Sequence, residues 1–217
     1  MKLDKTDKII LSLIISILLL TTLYYLKPLE SFKQEPYSYY YDNGVDQFLV
    51  TRAEDPNYQG WVIKFHMQDR TFTIDSLSDP RDIENITIKG DISNIVRSRK
   101  VYFTYDPDQN MDVRLLQAEY EVGKIISNPF LYNIEIDIGS LKEIEELPFI
   151  TCENATASNP VIVFTLGDET IVREENHCIT ISATDQDKLI MASNRFMLTL
   201  LGIMKWTIIS QKIKIQY

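Results

Sequence analysis

The sequence predicts a mixed α/β protein, in which an N-terminal transmembrane helix precedes an exported, two-layer α+β body. Three observations lead to this fold class. Residues 9–26 form an uncharged apolar run, several later segments alternate apolar and polar residues, and two helical stripes follow groups of such segments. The chain has 217 residues, and its 45% hydrophobic content is that of a folded protein rather than a disordered one.

The apolar run IILSLIISILLLTTLYYL at 9–26 would extend roughly 27 Å as a helix, enough to cross a bilayer. The alternative is a cleaved signal peptide, which needs small residues before the cleavage site. The run ends instead in the bulky residues LYYL at 23–26. We therefore expect a short cytoplasmic N-terminus of residues 1–8, followed by an anchor that stays in the lipid bilayer.

The distribution of charge predicts which side of the membrane carries the body. Three lysines precede the run and two follow it within 27–33, which favours an N-terminus inside and a body outside. The whole chain has a net charge of −9 and residues 1–33 carry +2. Residues 34–217 therefore carry −11. An acidic body repels phosphates, which excludes nucleic acid as a partner.

Cysteines and glycosylation sequons indicate the same side. Cys152 and Cys178 both lie in the body, and an even number suits one disulfide. Asn85 and Asn154 each begin an Asn-x-Thr sequon. Two reduced buried thiols and sequons that arise by chance are the alternatives. A zinc site of Cys152, His177 and Cys178 lacks a fourth ligand at the usual spacing, so a disulfide is preferred.

The first part of the body is predicted to be a linker and an α/β module. Residues 27–46, with two prolines, a tyrosine cluster and an Asn-Gly pair, are typical of a juxtamembrane linker. The first module covers 47–140. Its alternating segments predict strands and its apolar stripe predicts a helix, in the following order: strands at 61–67, 72–74, 86–92 and 101–105, the helix at 111–126, and a strand at 132–138.

The second module, with a C-terminal tail, covers 141–217. VIVF at 161–164 is uninterrupted, which is typical of a central strand covered on both faces. Gly167 and Asp168 predict a hairpin turn into the next strand, and CITIS at 178–182 predicts a third. Asp185 or Asp187 then caps a helix, whose stripe is Leu189, Ala192, Phe196, Leu200 and Ile203. The alternating residues of 213–217 predict a final strand.

Two segments share a pattern that bears on the architecture. VIKFHMQDRTFT at 62–73 and VIVFTLGDETIV at 161–172 have similar residues in the same order. Each half also runs from a strand through Asp-Gln into a helix, so the body reads as two βββα modules. A duplication and a shared hairpin pattern both explain this similarity.

Two polar clusters in the sequence are candidates for a binding or catalytic site. Asp106, Asp108, Asn110 and Asp112 alternate as in a calcium loop, but Met111 replaces the glycine that such a loop needs. Asp capping of the following helix explains the same residues. The acidic run of Glu143, Glu145 and Glu146 is typical of a solvated face. Because no catalytic motif is present in the sequence, we expect neither an enzyme nor a cofactor.

The C-terminal third resembles uncharacterised archaeal single-pass envelope proteins. These proteins combine a short anchor with an exported α/β domain, a Cys-x-Asn-Ala-Thr segment, a strand that ends near Leu-Gly, a second cysteine, and a last helix that ends in Leu-Leu-Gly. The matching residues here are Cys152, Asn154, Ala155, Thr156, Leu166, Gly167, Thr170, Cys178, Leu200, Leu201 and Gly202. This chain departs from the pattern by continuing beyond Gly202, and the resemblance implies no activity.

These features together predict a role for the chain. We expect a single-pass cell-membrane protein whose extracytoplasmic domain has a structural or protein-interaction role in the envelope. Its partners would be the bilayer, through residues 9–26, and other envelope proteins. The alternative is an extracytoplasmic ligand-binding module of a transporter or sensor complex, with its ligand in a cleft between the modules.

Overall fold

The computed structural model describes residues 37–55, 59–67, 69–109 and 113–205, together with Ser16, Leu18 and Thr21. Among these residues, no helix is both long enough and apolar enough to cross a membrane. The predicted anchor at 9–26 lies outside the described residues, except for those three positions, which are helical. The predicted last strand at 213–217 also lies outside them.

The first sheet, sheet A, is an antiparallel meander in the order β1-β2-β3-β4. Its strands are β1 (Ser38–Asp42), β2 (Gln47–Arg52), β3 (Trp61–Met67) and β4 (Arg70–Ser76). Strand β1 lies within the predicted linker 27–46, because alternate tyrosines of this stretch contact the core. Tyr41 is buried, and the ring of Tyr39 packs edge-on against Trp61 at a centroid distance of 6.0 Å.

The second sheet, sheet B, has six strands in the order β5-β9-β10-β8-β6-β7. They are β5 (Thr87–Lys89), β6 (Lys100–Tyr105), β7 (Glu135–Ser140), β8 (Val161–Leu166), β9 (Ile171–Glu175) and β10 (Cys178–Ala183). Strands β7, β6, β8 and β10 are mutually parallel. Strands from both predicted modules therefore share one sheet, and the division at residues 140 and 141 does not separate two βββα units.

The predicted hairpin at Gly167 and Asp168 is wrong, because β10 lies between β8 and β9. The hairpin joins β9 to β10 instead, through Asn176 and His177, whose φ angles of 53° and 68° suit a two-residue turn. In contrast, β3 and β4 pair directly as a hairpin. The two similar sequence segments thus have different topologies, which favours a shared local pattern over a repeated unit.

Two helices lie between the sheets, so the body has three layers instead of the predicted two. They are α1 (Val113–Ile126) and α2 (Gln186–Leu200). Phe196 of α2 belongs to the core of sheet B, whereas Met197 and Leu198 belong to the core of sheet A. Helix α2 is covered on both sides for this reason. Of the two predicted caps, Asp185 is the residue that accepts the Lys188 N–H, at 2.8 Å.

The outer face of sheet B is covered by the segment between β7 and β8. Leu141, Ile150 and Ala155 pack there against Val161 and Val163. Residues 161–164 are all buried, which confirms the prediction of a central strand with both faces covered. The coarse prediction of a mixed α+β body is also confirmed.

Candidate partner-binding surface

Strand β7 is an edge of sheet B, and some of its backbone hydrogen-bonding groups have no partner among the described residues. The backbone of Ser140 points away from β6, since its N–H donates to Pro148 O and its C=O accepts from Ile150 N, both at 2.9 Å. Because backbone groups alternate along a strand, those of Ile136 and Ile138 point the same way. Among the described residues no strand pairs with this side of β7. The edge is therefore a template for an added strand.

An exposed apolar stripe runs along one flank of α1. Val113, Leu116 and Tyr120 are 74%, 63% and 66% exposed. Their spacing of three and four residues places them on one side of the helix, away from its buried positions. Large apolar side chains at this exposure are not needed for the core, so the stripe is free to bind.

The stripe and the strand edge form one surface. Gly123 lies seven residues after Leu116, hence on the same flank of α1, and a Cβ atom placed on Gly123 would be 3.5 Å from Ile136 Cδ1. Ile138, two residues after Ile136 and therefore on the same face of β7, is 39% exposed. Phe149 is 49% exposed and pairs with Ser140 at the end of β7. We call this set, Val113, Leu116, Tyr120, Ile138 and Phe149, the β7 surface.

Acidic residues border the β7 surface. Glu143, Glu145 and Glu146 follow β7 and are exposed, as the sequence predicted for this run. Glu135 and Asp137 of β7 lie beside Lys100, whose ammonium contacts both carboxylates. The surface is therefore apolar at its centre and mainly negative at its rim, which favours a partner with basic residues beside an apolar face.

Glu119 lies on α1 three residues after Leu116, on the side of the helix that turns toward the core. It is 8% exposed, and its Oε1 has no hydrogen-bond partner in the described part of the chain. Burial raises the pKa of this carboxyl from 4.5 to about 7. An acid that is neutral in mildly acidic conditions and charged above neutrality thus lies next to the β7 surface.

We expect Glu119→Gln to remove a pH-dependent loss of stability. Below pH 4.5 the carboxyl is protonated in both states; as the pH rises towards 7 the unfolded chain loses its proton first, so the folded state is progressively disfavoured. The full loss is about 3 kcal/mol. Urea unfolding should find the variant more stable than wild type by up to this amount above pH 7 and equal to it below 4.5.

A matched control for this measurement is Glu143→Gln, which neutralises an exposed carboxyl and should leave the pH profile unchanged. Burial also raises the pKa of Glu121, against the opposing effect of Lys124. That contribution is common to wild type and variant and cancels in the difference. A constant difference between Glu119→Gln and wild type across this pH range would show that Glu119 does not titrate as described.

The loop after β6 contains the residues that alternate as in a calcium loop. Asp106 and Asp108 both contact the Lys142 ammonium, which is 3.1 Å from Asp106 Oδ1. The hydrogen bond from the Asp108 N–H is the main cause that lowers the pKa of Asp106, and the contact with Lys142 is the second. Asn110 and Asp112 lie outside the described residues. Where the chain is described, no group of three or more His, Cys, Asp or Glu side chains is arranged to hold a metal ion.

The connections that leave β6 and β8 run toward opposite edges of sheet B. The crevice between the carboxyl ends of two such strands is a usual ligand position in α/β sheets. Here Gln109 fills it. Its Oε1 accepts from Leu166 N at 2.8 Å and from Thr165 Oγ1 at 3.1 Å, and its Nε2 donates to Leu166 O at 3.3 Å. The chain's own loop closes this position, so it is not the candidate site.

Cys152 and Cys178 form a disulfide, as predicted, with a Cα–Cα distance of 5.2 Å. It attaches the segment that covers the outer face of sheet B to the start of β10. Both sequon asparagines, Asn85 and Asn154, are exposed. Asn154 also stabilises the short turn that contains Cys152, because its Oδ1 accepts the Thr151 N–H at 2.8 Å.

Removal of the disulfide is expected to destabilise the body substantially. The Cys152→Ala/Cys178→Ala variant releases a loop with a sequence separation of 26, so its free energy of unfolding should fall by about 3 kcal/mol. Urea unfolding of the variant and of wild type with and without reductant measures this difference. Reduced wild type should match the variant; a variant as stable as oxidised wild type would contradict the role given to this bond.

The patterns identified in the sequence do not predict the β7 surface. The apolar stripe that predicts the helix at 111–126 begins at Met111, outside the described residues, and its other members are buried positions of α1. It gives no role to Leu116 or Tyr120. A second apolar stripe at 113, 116 and 120 was the available signal.

No protein-family model, curated protein or solved structure matches this chain.

Proposed function

We propose that this chain is a membrane-anchored extracytoplasmic domain that binds another protein of the cell envelope. Residues 9–26 hold it in the bilayer, with the N-terminus inside and the body outside. The disulfide supports an oxidising exterior, and the exposed Asn85 and Asn154 are available for glycosylation there. Membership of the archaeal single-pass envelope family is part of this proposal, since the two cysteines that carry the resemblance are joined.

The observation that carries the interaction role is the β7 surface. An exposed stripe and an open strand edge lie side by side, so one extended segment can take the backbone groups of Ile136 and Ile138 while its side chains cover Leu116 and Tyr120. The occupant is a segment of an envelope protein that is apolar along one face. Basic residues at its flanks match the acidic rim at 143–146.

Site-specific photo-cross-linking in the native membrane tests this role. A photoreactive residue at position 116 or 138 should form an adduct with one envelope protein, and the cross-link should map to an extended segment of that protein. The same residue at position 45 is the matched control, because Val45 is 80% exposed and lies in the turn between β1 and β2. Equal adducts at all three positions would contradict the proposal.

A substitution at the edge distinguishes strand addition from simple apolar contact. Ile138→Pro removes an N–H that no described residue accepts, so the body should stay folded while an added strand is blocked. Adducts from position 116 should then be lost. Ile138→Lys is a second variant, should the proline perturb β7. Adducts that persist in both variants, or that join only copies of this chain, would overturn the proposed partner.

A further inference from the structure

A cavity of about 410 Å³ lies away from the β7 surface, where sheet A meets the end of α2. The end of β1 contributes Tyr41 and Asp42, the turn after it contributes Gly44, and the segment before β5 contributes Glu84. Arg195 of α2 and Lys205 beyond its end complete the polar lining. The volume is within the range of small-molecule sites.

Arg195 is a buried cation that no carboxylate of the described residues contacts. It is 3% exposed, and its guanidinium donates to Ile86 O, Thr199 Oγ1 and Lys205 O at 3.0, 3.0 and 2.9 Å. These three acceptors are neutral, and among the described residues no carboxylate lies within ion-pair distance of it. A guanidinium has five N–H donors, so one N–H on each terminal nitrogen has no acceptor in the described part of the chain.

A second cation lies in the same cavity. The Lys205 ammonium is next to Gly44, where a Cβ atom would approach it to 2.5 Å. Gly44 has a φ of +79°, so its lack of a side chain both permits this turn and leaves room for the ammonium. No described carboxylate forms an ion pair with Lys205. The lining of this cavity therefore holds two cations, Arg195 and Lys205, with which no described carboxylate forms an ion pair.

The carboxylates that line the cavity already have donors. Asp42 accepts from Gly44 N at 2.6 Å and from Gln47 Nε2 at 3.3 Å. Glu84 accepts a hydrogen bond from the Tyr41 hydroxyl. Burial is the main cause that raises the pKa of Tyr41, followed by the charge of Glu84 and by this hydrogen bond. The charges of Asp42 and Glu84 nevertheless remain in the cavity. They oppose a dianion such as phosphate more strongly than a single carboxylate.

We propose that this cavity binds a small organic monocarboxylate, whose oxygens accept the two remaining N–H groups of Arg195 and the ammonium of Lys205. Charge-assisted pairing of a carboxylate with a guanidinium is among the stronger polar contacts in proteins. The binding role is additional to the interaction role of the β7 surface and does not depend on it.

Titration of the full-length chain in detergent micelles with butyrate tests this site, with butyramide as the neutral isostere and inorganic phosphate as the dianion. NMR should show millimolar binding of butyrate, with shifts of the Gly44 amide and the Arg195 side chain. Butyramide and phosphate should each bind at least about tenfold more weakly. Equal binding of butyrate and butyramide, or no butyrate binding at millimolar concentrations, would overturn the proposal.

Two exposed positions give variants with opposite expected effects. Lys205→Gln should weaken butyrate binding about tenfold, because it removes a charge-assisted contact. Glu84→Gln should strengthen binding several-fold, because it removes a like charge. Lys188→Gln, an exposed lysine at the other end of α2, is the matched control. If neither Lys205→Gln nor Glu84→Gln changes the affinity, the carboxylate does not bind at this site.

Discussion

Replacement of Arg195 by methionine is expected to lower the free energy of unfolding by about 3–5 kcal/mol. The guanidinium connects three segments: the chain before β5 through Ile86 O, α2 through Thr199, and the chain after α2 through Lys205 O. Methionine fills a similar length but donates no hydrogen bond. Two part-buried backbone carbonyls and a buried hydroxyl would lose their donor, and each costs free energy if water does not replace it.

The matched control for this substitution is Arg173→Met. The Arg173 side chain is 42% exposed and forms an ion pair with Glu169 four residues away. Exposed pairs of this kind contribute less than about 1 kcal/mol. Urea unfolding of both variants should therefore separate them clearly. Similar losses for Arg195→Met and Arg173→Met would contradict the structural role of Arg195.

The substitution Phe164→Ala is expected to have an effect of similar size, about 3–5 kcal/mol. Phe164 is fully buried on β8, and its ring packs edge-on against Phe103 of β6 at a centroid distance of 5.2 Å. Alanine leaves a cavity between the central strands and the helices and also removes the aromatic pair. Unfolding monitored by circular dichroism gives the loss directly.

Phe130→Ala is the control for Phe164→Ala, because Phe130 is 68% exposed. Its replacement should change the free energy of unfolding by less than about 0.5 kcal/mol. A loss below about 1 kcal/mol for Phe164→Ala would show that the interior relaxes around the smaller side chain. Such a result would contradict the packing described for sheet B.

Local patterns in the sequence predicted most of the elements but not their arrangement. The uninterrupted VIVF run identified β8 as a covered strand, and Asp185 was one of two predicted caps, because both features depend on residues close in the chain. The order of strands in sheet B depends on distant pairing. Nothing in the segment at 161–172 indicates that β10 enters between β8 and β9.

The same limit applies to the two sites. Leu116 and Tyr120 are apolar residues on a helix, and only the tertiary structure shows that no described element covers them. Arg195 lies in the segment of α2, which the sequence predicts to be a helix from its apolar stripe and not from this residue. A charged residue at a position that becomes buried was the available signal, but its acceptors come from residues 86, 199 and 205. The pairing of Cys152 with Cys178 needed no such information, since they are the two cysteines of the chain.

Membrane retention and the side of the membrane are the basis of the proposed function. Native membranes can be extracted with alkaline carbonate, and free thiols can be alkylated before denaturation. We expect the uncut chain to stay in the membrane pellet, protease added to intact cells to digest the body, and Cys152 and Cys178 to resist alkylation until they are reduced. A soluble chain cleaved after 23–26, or two thiols that react at once, would contradict it.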